Sequence, residues 1–137
     1  MQKKIRYTLG NEERLKSRKV IEQLFKKGKS FSVSPFRVVW QYQSEKSGNF
    51  LQAGFSVSTR HFKKAVERNR IRRLIKEAYR LQKNELQKSL QQNNKQLAMF
   101  FIYTDKEIPA YTLVAEKMSS VMERLKKIVN ENSSPNN

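Results

Sequence analysis

Cysteine is absent from this 137-residue chain, and histidine and aspartate occur once each, as His61 and Asp105. The first absence excludes disulfides and thiolate zinc sites and suits a reducing cytoplasm, the expected location. The scarcity of acids excludes more. Eleven glutamates are scattered singly or lie among basic residues. A protein nuclease working through metal ions needs carboxylates that converge on the metal, as do most phosphoryl-transfer sites. The two close acidic pairs, Glu12 with Glu13 and Asp105 with Glu107, read instead as helix-start or turn features. His61 has neither a second ligand nor a nucleophile beside it, which suits a surface or RNA-contacting role better than catalysis. We therefore expect no catalytic residue and no metal or cofactor bound by the protein. No glycine-rich phosphate loop and no internal repeat is present. No apolar stretch reaches the length of a membrane span, and the first residues lack a signal-peptide core.

What the chain has in excess is positive charge. Lysine and arginine number 29 against 12 acids, giving a net charge of +17 and a pI near 10.3. That balance belongs to nucleic-acid binders, and the length suits one domain with a modest core. The charge is concentrated. Between Arg60 and Lys83 lie ten Lys or Arg residues and two acids. At about 100° per residue, Ile71, Leu74, Ile75 and Ala78 share one side of a helix. Asn69, Arg72, Arg73, Lys76, Arg80 and Lys83 fall opposite, flanked by Arg68 and Arg70. Forked guanidinium donors in a row suit phosphate oxygens. A charged run is often no more than a solvated face. Here so few acids offset it that self-repulsion would cost stability without an anionic partner. An anionic membrane is the poorer partner, because the helix carries short aliphatics rather than the Trp/Phe/Leu face of an interfacial helix.

Residues 1–10 read as a flexible basic arm, 11–129 as one RNA-binding domain, and 130–137 as a disordered tail. A first helix is expected from an N-cap at Ser17 to Lys27, with Gly28 as its stop; Val20, Ile21, Leu24 and Phe25 form its apolar side. A strand follows near Phe36–Tyr42. The loop Ser44–Asn49 then predicts a hairpin to a second strand near Phe50–Thr59. In that second strand Leu51, Ala53, Phe55 and Val57 line one side, and Gln52, Gly54, Ser56 and Ser58 the other. A sheet face of Gly, Ser and Gln is either simply solvated or, amid this much charge, a trough for an extended nucleic-acid strand. Phe25 or Val39 could supply apolar contacts there, although Phe25 also fits an ordinary core position. Past the polar break Gln91–Gln96, the apolar run Leu97–Tyr103 predicts a central strand buried on both faces. A last helix spans roughly Thr112–Val129, with Val114, Met118, Val121, Met122, Leu125 and Val129 as its core stripe. The expected fold is a two-layer α/β (α+β) single domain of order αββαβα, whose strand–helix–strand link would by default be right-handed.

The run from Ala65 to Lys76, Ala-Val-Glu-Arg-Asn-Arg-Ile-Arg-Arg-Leu-Ile-Lys, closely resembles the Arg-Asn-Arg signature helix of the bacterial ribonuclease P protein component. Gly54-Phe55-Ser56-Val57-Ser58 upstream and Leu24-Phe25-Lys26-Lys27-Gly28 in the first helix add to the resemblance, which covers about residues 12–129. It implies a small mixed sheet with an unusual left-handed crossover. It also implies that catalysis is carried by a partner RNA that requires Mg2+, assisted by one protein per RNA. Arg68, Asn69, Arg70, Arg72, Arg73, Lys76 and Arg80 would then dock on the catalytic RNA. A cleft containing Ile21, Phe25, Val39, Ser56 and Arg60 would hold the 5′ leader of precursor tRNA. The chain departs from the family pattern in two places. It has His61-Phe62-Lys63-Lys64 where members commonly carry Gly, and Ile21 and Val39 stand where aromatics are typical.

Other functions remain to be weighed. A ribosomal-type structural protein or RNA chaperone explains the charge but not the open Gly/Ser sheet face. A DNA regulator could use the same helix, yet no dimerisation stripe or helix-turn-helix spacing accompanies it. A protein-only nuclease conflicts with the acid inventory.

Overall fold

Period-2 and period-3.6 apolar patterns resolve, in a computed structural model describing residues 14–15, 17–43 and 50–131, into three helices and four strands. Helix α1 spans Arg18–Lys27. Strands β1 (Lys29–Val33), β2 (Phe36–Gln43) and β3 (Leu51–Val57) follow. Helix α2 (Ala65–Gln92), strand β4 (Gln96–Tyr103) and helix α3 (Tyr111–Glu131) complete the order. The expected arm at 1–10, the Glu12–Glu13 pair, the Ser44–Asn49 loop and residues 132–137 lie outside the described residues.

The sheet order is β1-β2-β4-β3. β2 is antiparallel to β1 and to β4, whereas β3 and β4 are parallel neighbours joined through α2. Two expectations are thereby corrected. β1 was not foreseen, although Phe31 and Val33 alternate with serines. The hairpin partner of β2 is β1 rather than β3, and the turn between them is Ser34-Pro35. The reason lies in β4. Leu97, Met99, Phe101 and Tyr103 are all buried, and a strand this apolar gains most in an interior position. It therefore inserts between β2 and β3 and leaves β3 at the edge. Arg14 bridges to Ala53 on that edge, with the Leu15 N–H donating to the Ala53 carbonyl at 2.9 Å.

One face of the sheet packs against α2 and α3. Phe36, Val38, Trp40, Leu51, Ala53, Val57 and the four β4 residues meet Ile71, Ile75, Ala78, Tyr79, Leu86 and Leu90 of α2 there. The core stripe of α3 is buried as expected, all six residues. Among the described residues, α1 is the helix on the other face, and its small cluster joins Leu24 to Leu15, Val39 and Ala98. Ser17 caps α1 by accepting from the Val20 N–H. At its far end Gly28 allows close approach to β2, since a Cβ there would lie 2.3 Å from the Leu24 carbonyl oxygen and 3.1 Å from that of Trp40. Because α1 is ten residues long, it covers only part of this face. The expectation that β4 is buried on both sides thus holds at Ala98 and fails at Phe100 and Ile102, which are half-buried.

Ile75 is fully buried within the α2–sheet core. Ile75→Ala should lower unfolding free energy by about 2–5 kcal/mol, read as a shifted urea midpoint at unchanged m-value.

Candidate nucleic-acid interface

The first turn of α2 lacks a side-chain N-cap, because Lys64 at that position provides none. Arg68 supplies the missing order. Its Nη1 donates to the carbonyl oxygens of Phe62 at 2.7 Å and Lys63 at 2.8 Å, tying the helix to the preceding turn. Phe62, buried in the main core, anchors that turn from beneath. Glu67 adds a negative charge near the helix N-terminus, where the dipole favours it. Arg68 is therefore partly a scaffold residue as well as a member of the cationic row.

Beyond it the row divides by environment. Asn69 is exposed and its Oδ1 accepts from the Arg72 guanidinium, holding that fork in one orientation. Arg70 and Arg73 are exposed and have no acidic partner among the described residues. Lys76 is half-buried, and its pKa is held below the ordinary lysine value by burial first, then by repulsion from Arg14 and Arg72. Arg14 belongs to no helix. The β-bridge along the β3 edge brings it to α2, and no pattern in the sequence upstream of α1 singles it out. Arg80 differs from the rest. It donates to both carboxylate oxygens of Glu77, at 3.0 and 2.5 Å, so its charge is largely balanced.

Lys83 corrects the expected stripe: it is fully buried. The sector of α2 that is open in its N-terminal half is covered by α3 in its C-terminal half. Gln82 Nε2 donates to the Ala115 carbonyl at 3.0 Å, and Lys126 of α3 pairs with Glu85 at 2.6 Å. The solvent-facing part of the cationic row therefore comprises Asn69, Arg70, Arg72, Arg73 and Lys76, with Arg14 beside them.

The α1 side of the sheet presents a different chemistry. Register aligns Gly54, Phe100, Val39 and Ser30 in one row across the strands, and Ser56, Ile102, Arg37 and Ser32 in the next. Val39 is only 3% exposed and forms floor beneath α1, so it offers little to a ligand. Ile21 is half-buried against the same cluster. Phe25 is 48% exposed and meets Phe100 edge to face, with ring centroids 5.4 Å apart. Ser56 is half-buried on the open row, and Arg60 is exposed in the turn after β3, its N–H donating to Ser58 Oγ. The structure thus gathers Phe25 and Ser56 on the α1 side and sets Val39 below them. Phe100 and Ile102 join this surface unforeseen, hidden within an uninterrupted apolar run.

Among the described residues no group of three His, Cys, Asp or Glu side chains converges. Asp105 Oδ1 accepts from the Lys106 N–H, and Glu85 and Glu123 both pair with Lys126. Nor is any helix among the described residues long and apolar enough to cross a membrane.

Comparison with known proteins converges on one family. The Ribonuclease P family model matches residues 9–126. The ribonuclease P protein component of Porphyromonas gingivalis (strain ATCC 33277) is 35% identical over 119 residues, covering 87% of each chain. That of Chlorobium phaeobacteroides is 29% identical over 129 residues, covering 87% of this chain and 88% of the relative. The solved RNase P protein from Thermotoga maritima superposes with a TM-score of 0.64 at 24% identity, over 82% of this chain and 96% of that one. The Staphylococcus aureus RNase P protein gives 0.64 at 21% identity, over 82% and 94%.

Arg68→Ala leaves two backbone carbonyls without their donor and should destabilise the free protein by about 1–3 kcal/mol. Arg68→Lys should recover only part of this, because an ammonium lacks the fork; chemical denaturation reads both. Lys76 gives a prediction of opposite sign. Its folded pKa is depressed, so its charge opposes folding at neutral pH, and the penalty is relieved as pH rises through the folded value toward 10.5. Lys76→Gln should therefore raise the melting temperature of the free protein at neutral pH and low salt. The gain should shrink at alkaline pH.

Proposed function

The chain belongs to the ribonuclease P protein component family, and from its geometry we propose that it grips the catalytic RNA of that complex through α2 and the 5′ leader of precursor tRNA through the α1 side of the sheet. As a ribonuclease P protein component it takes part in an endoribonuclease complex with an RNA partner, in tRNA processing. The observation that carries the finer reading is the row Asn69, Arg70, Arg72, Arg73 and Lys76, outward-facing on a helix whose opposite lane, Ile71, Ile75 and Ala78, is fully buried. Side chains so fixed replace the counterions that a folded RNA would otherwise hold, and they diminish repulsion between two RNAs brought together.

In this reading the protein contributes no reacting group. His61 is exposed on the turn before α2, and among the described residues the carboxylates pair with cations or form no group of three. Bond cleavage then falls to the RNA with its own Mg2+, one protein serving each RNA in the cytoplasm. The protein's share is affinity and selection. A mature tRNA lacks the leader, so it forfeits whatever the α1 side of the sheet provides.

The test is reconstitution with the catalytic RNA and a precursor tRNA at low magnesium. The protein should increase cleavage and should tighten precursor binding more than mature-tRNA binding. Arg70→Ala combined with Arg73→Ala should weaken catalytic-RNA binding and flatten its log–log salt dependence by about 0.9 per lost phosphate contact. Unchanged affinity and slope would remove α2 from the docking role. A ribosomal-type protein or general chaperone would leave cleavage unstimulated.

A further inference from the structure

We propose that Lys76 is a modification site whose side-chain amine takes an acyl group from an acyl phosphate, and that the amide so formed hinders assembly with RNA. The chemistry goes beyond the reading above and does not need it; the consequence for assembly rests on α2 holding RNA.

Two guanidinium groups act on Lys76 from different elements. Arg72 stands one turn before it on α2. Arg14 comes from outside the helix, held beside β3 by its bridge to Ala53 and by the Leu15 N–H, which donates to the Ala53 carbonyl. Arg73, three positions earlier on α2 and so on a neighbouring lane, is exposed. Among the described residues no acid forms an ion pair with this group. Glu77, next in the chain, accepts from Arg80, while Glu85 and Glu123 are taken up by Lys126. Arg72 donates to Asn69, a neutral amide that leaves its charge unbalanced. Lys76 is half-buried, screened in part from water while still reachable by a small molecule.

This arrangement favours acyl transfer twice over. Burial and the two fixed cations disfavour the ammonium, so Lys76 gives up its proton more readily than a solvated lysine and offers more neutral amine. The guanidinium forks also attract the donor, since an acyl phosphate carries its negative charge on the group that leaves. The Lys76 Nζ lone pair attacks the acyl carbon and forms a carbon–nitrogen bond. The carbon–oxygen bond to phosphate breaks, inorganic phosphate departs with that electron pair, and the surplus proton on nitrogen passes to it. The product is an uncharged amide. It subtracts one cation from the outward row of α2 and, by the same loss, removes the charge that opposes folding. The modified protein is thus more stable alone and weaker toward RNA. RNA lying on α2 would cover the amine, so the free protein is the form that reacts.

The experiment treats the full chain with acetyl phosphate at neutral pH and low salt, and follows occupancy of each lysine by peptide mass spectrometry. Lys63 and Lys64, exposed on the turn before α2, serve as internal references. Lys76 should acylate about threefold or more faster than either. That lead should vanish in concentrated urea and fall to about half or less in Arg14→Gln and in Arg72→Gln. With p-nitrophenyl acetate, an uncharged donor, the lead should be smaller. Thermal melting certifies each variant's fold; should Arg72→Gln not fold, Arg14→Gln decides, because it lies outside the helices. The site is overturned if Lys76 reacts no faster than the references, or if its lead survives in urea or in the folded variants. An equal lead with both donors would overturn the part given to the arginines in gathering phosphate. The consequence is tested with acetyllysine incorporated genetically at position 76. Catalytic-RNA affinity should drop about threefold or more at low salt while the melting temperature of the free protein rises. Unchanged RNA affinity would overturn the block on assembly and leave the acyl transfer standing.

Discussion

The burial of Ile71, Ile75, Ala78 and Tyr79 sets the rotation of α2 about its own axis, and every cation on that helix inherits its direction from it. A segment so basic gains little from intrinsic helix formation, since like charges on adjacent turns repel and most helical stability comes from packing. The apolar lane offsets that repulsion. Lys76 records what is left of it: burial and the charges of Arg14 and Arg72 hold its pKa below the ordinary value. The free protein thus keeps part of its positive charge under strain, and an anion at this surface would relieve it. Arg68 belongs to both sides of the arrangement. It is cationic, yet two backbone carbonyls hold it and let α2 begin without a conventional cap.

The far side of the sheet answers to a different constraint. α1 is short, and Gly28 lets its C-terminal end settle closely on β2. This closeness concentrates α1 over Val39 and Ala98, leaving Phe100, Ile102 and Ser56 half uncovered. Had the helix been longer, the face would have become a second core. Its brevity makes a surface that is apolar in the middle and polar at the margins.

Local patterns carried most of this architecture. The α1 cap, the alternation in β3 and the six-residue stripe of α3 are visible in the chain because each depends on neighbours within a few positions. What escaped depends on partners distant in sequence. The insertion of β4 between β2 and β3 follows from competition among strands for the interior, which no single segment reveals. Lys83 falls on the cationic arc by geometry alone, yet it is buried in the half of α2 that packs against α3. Arg14 joins the cationic surface of α2 through a bridge to an edge strand. Phe100 was concealed for a related reason. In a run of seven apolar residues, periodicity cannot tell a side chain buried by a helix from one that the helix stops short of.

In the proposed reading charge and apolar contact impose different selectivities, and the two surfaces lie on different sides of one sheet. Precursor and mature tRNA carry nearly the same phosphates, so a cationic helix cannot by itself favour one over the other. Its attraction also weakens steeply as salt rises. Contacts with a leader discriminate because only the precursor has one, and apolar contact with a base depends far less on ionic strength than contact with a phosphate. A protein that relied on α2 alone would bind RNA tightly and indiscriminately; one that relied on the α1 side alone would hold a short single strand too weakly to matter. The sheet joins the two through β4, whose Phe101 and Tyr103 face the α2 core while Phe100 and Ile102 face the open side. The surface proposed to select the substrate is thereby built on a strand whose position is dictated by the same core that orients α2.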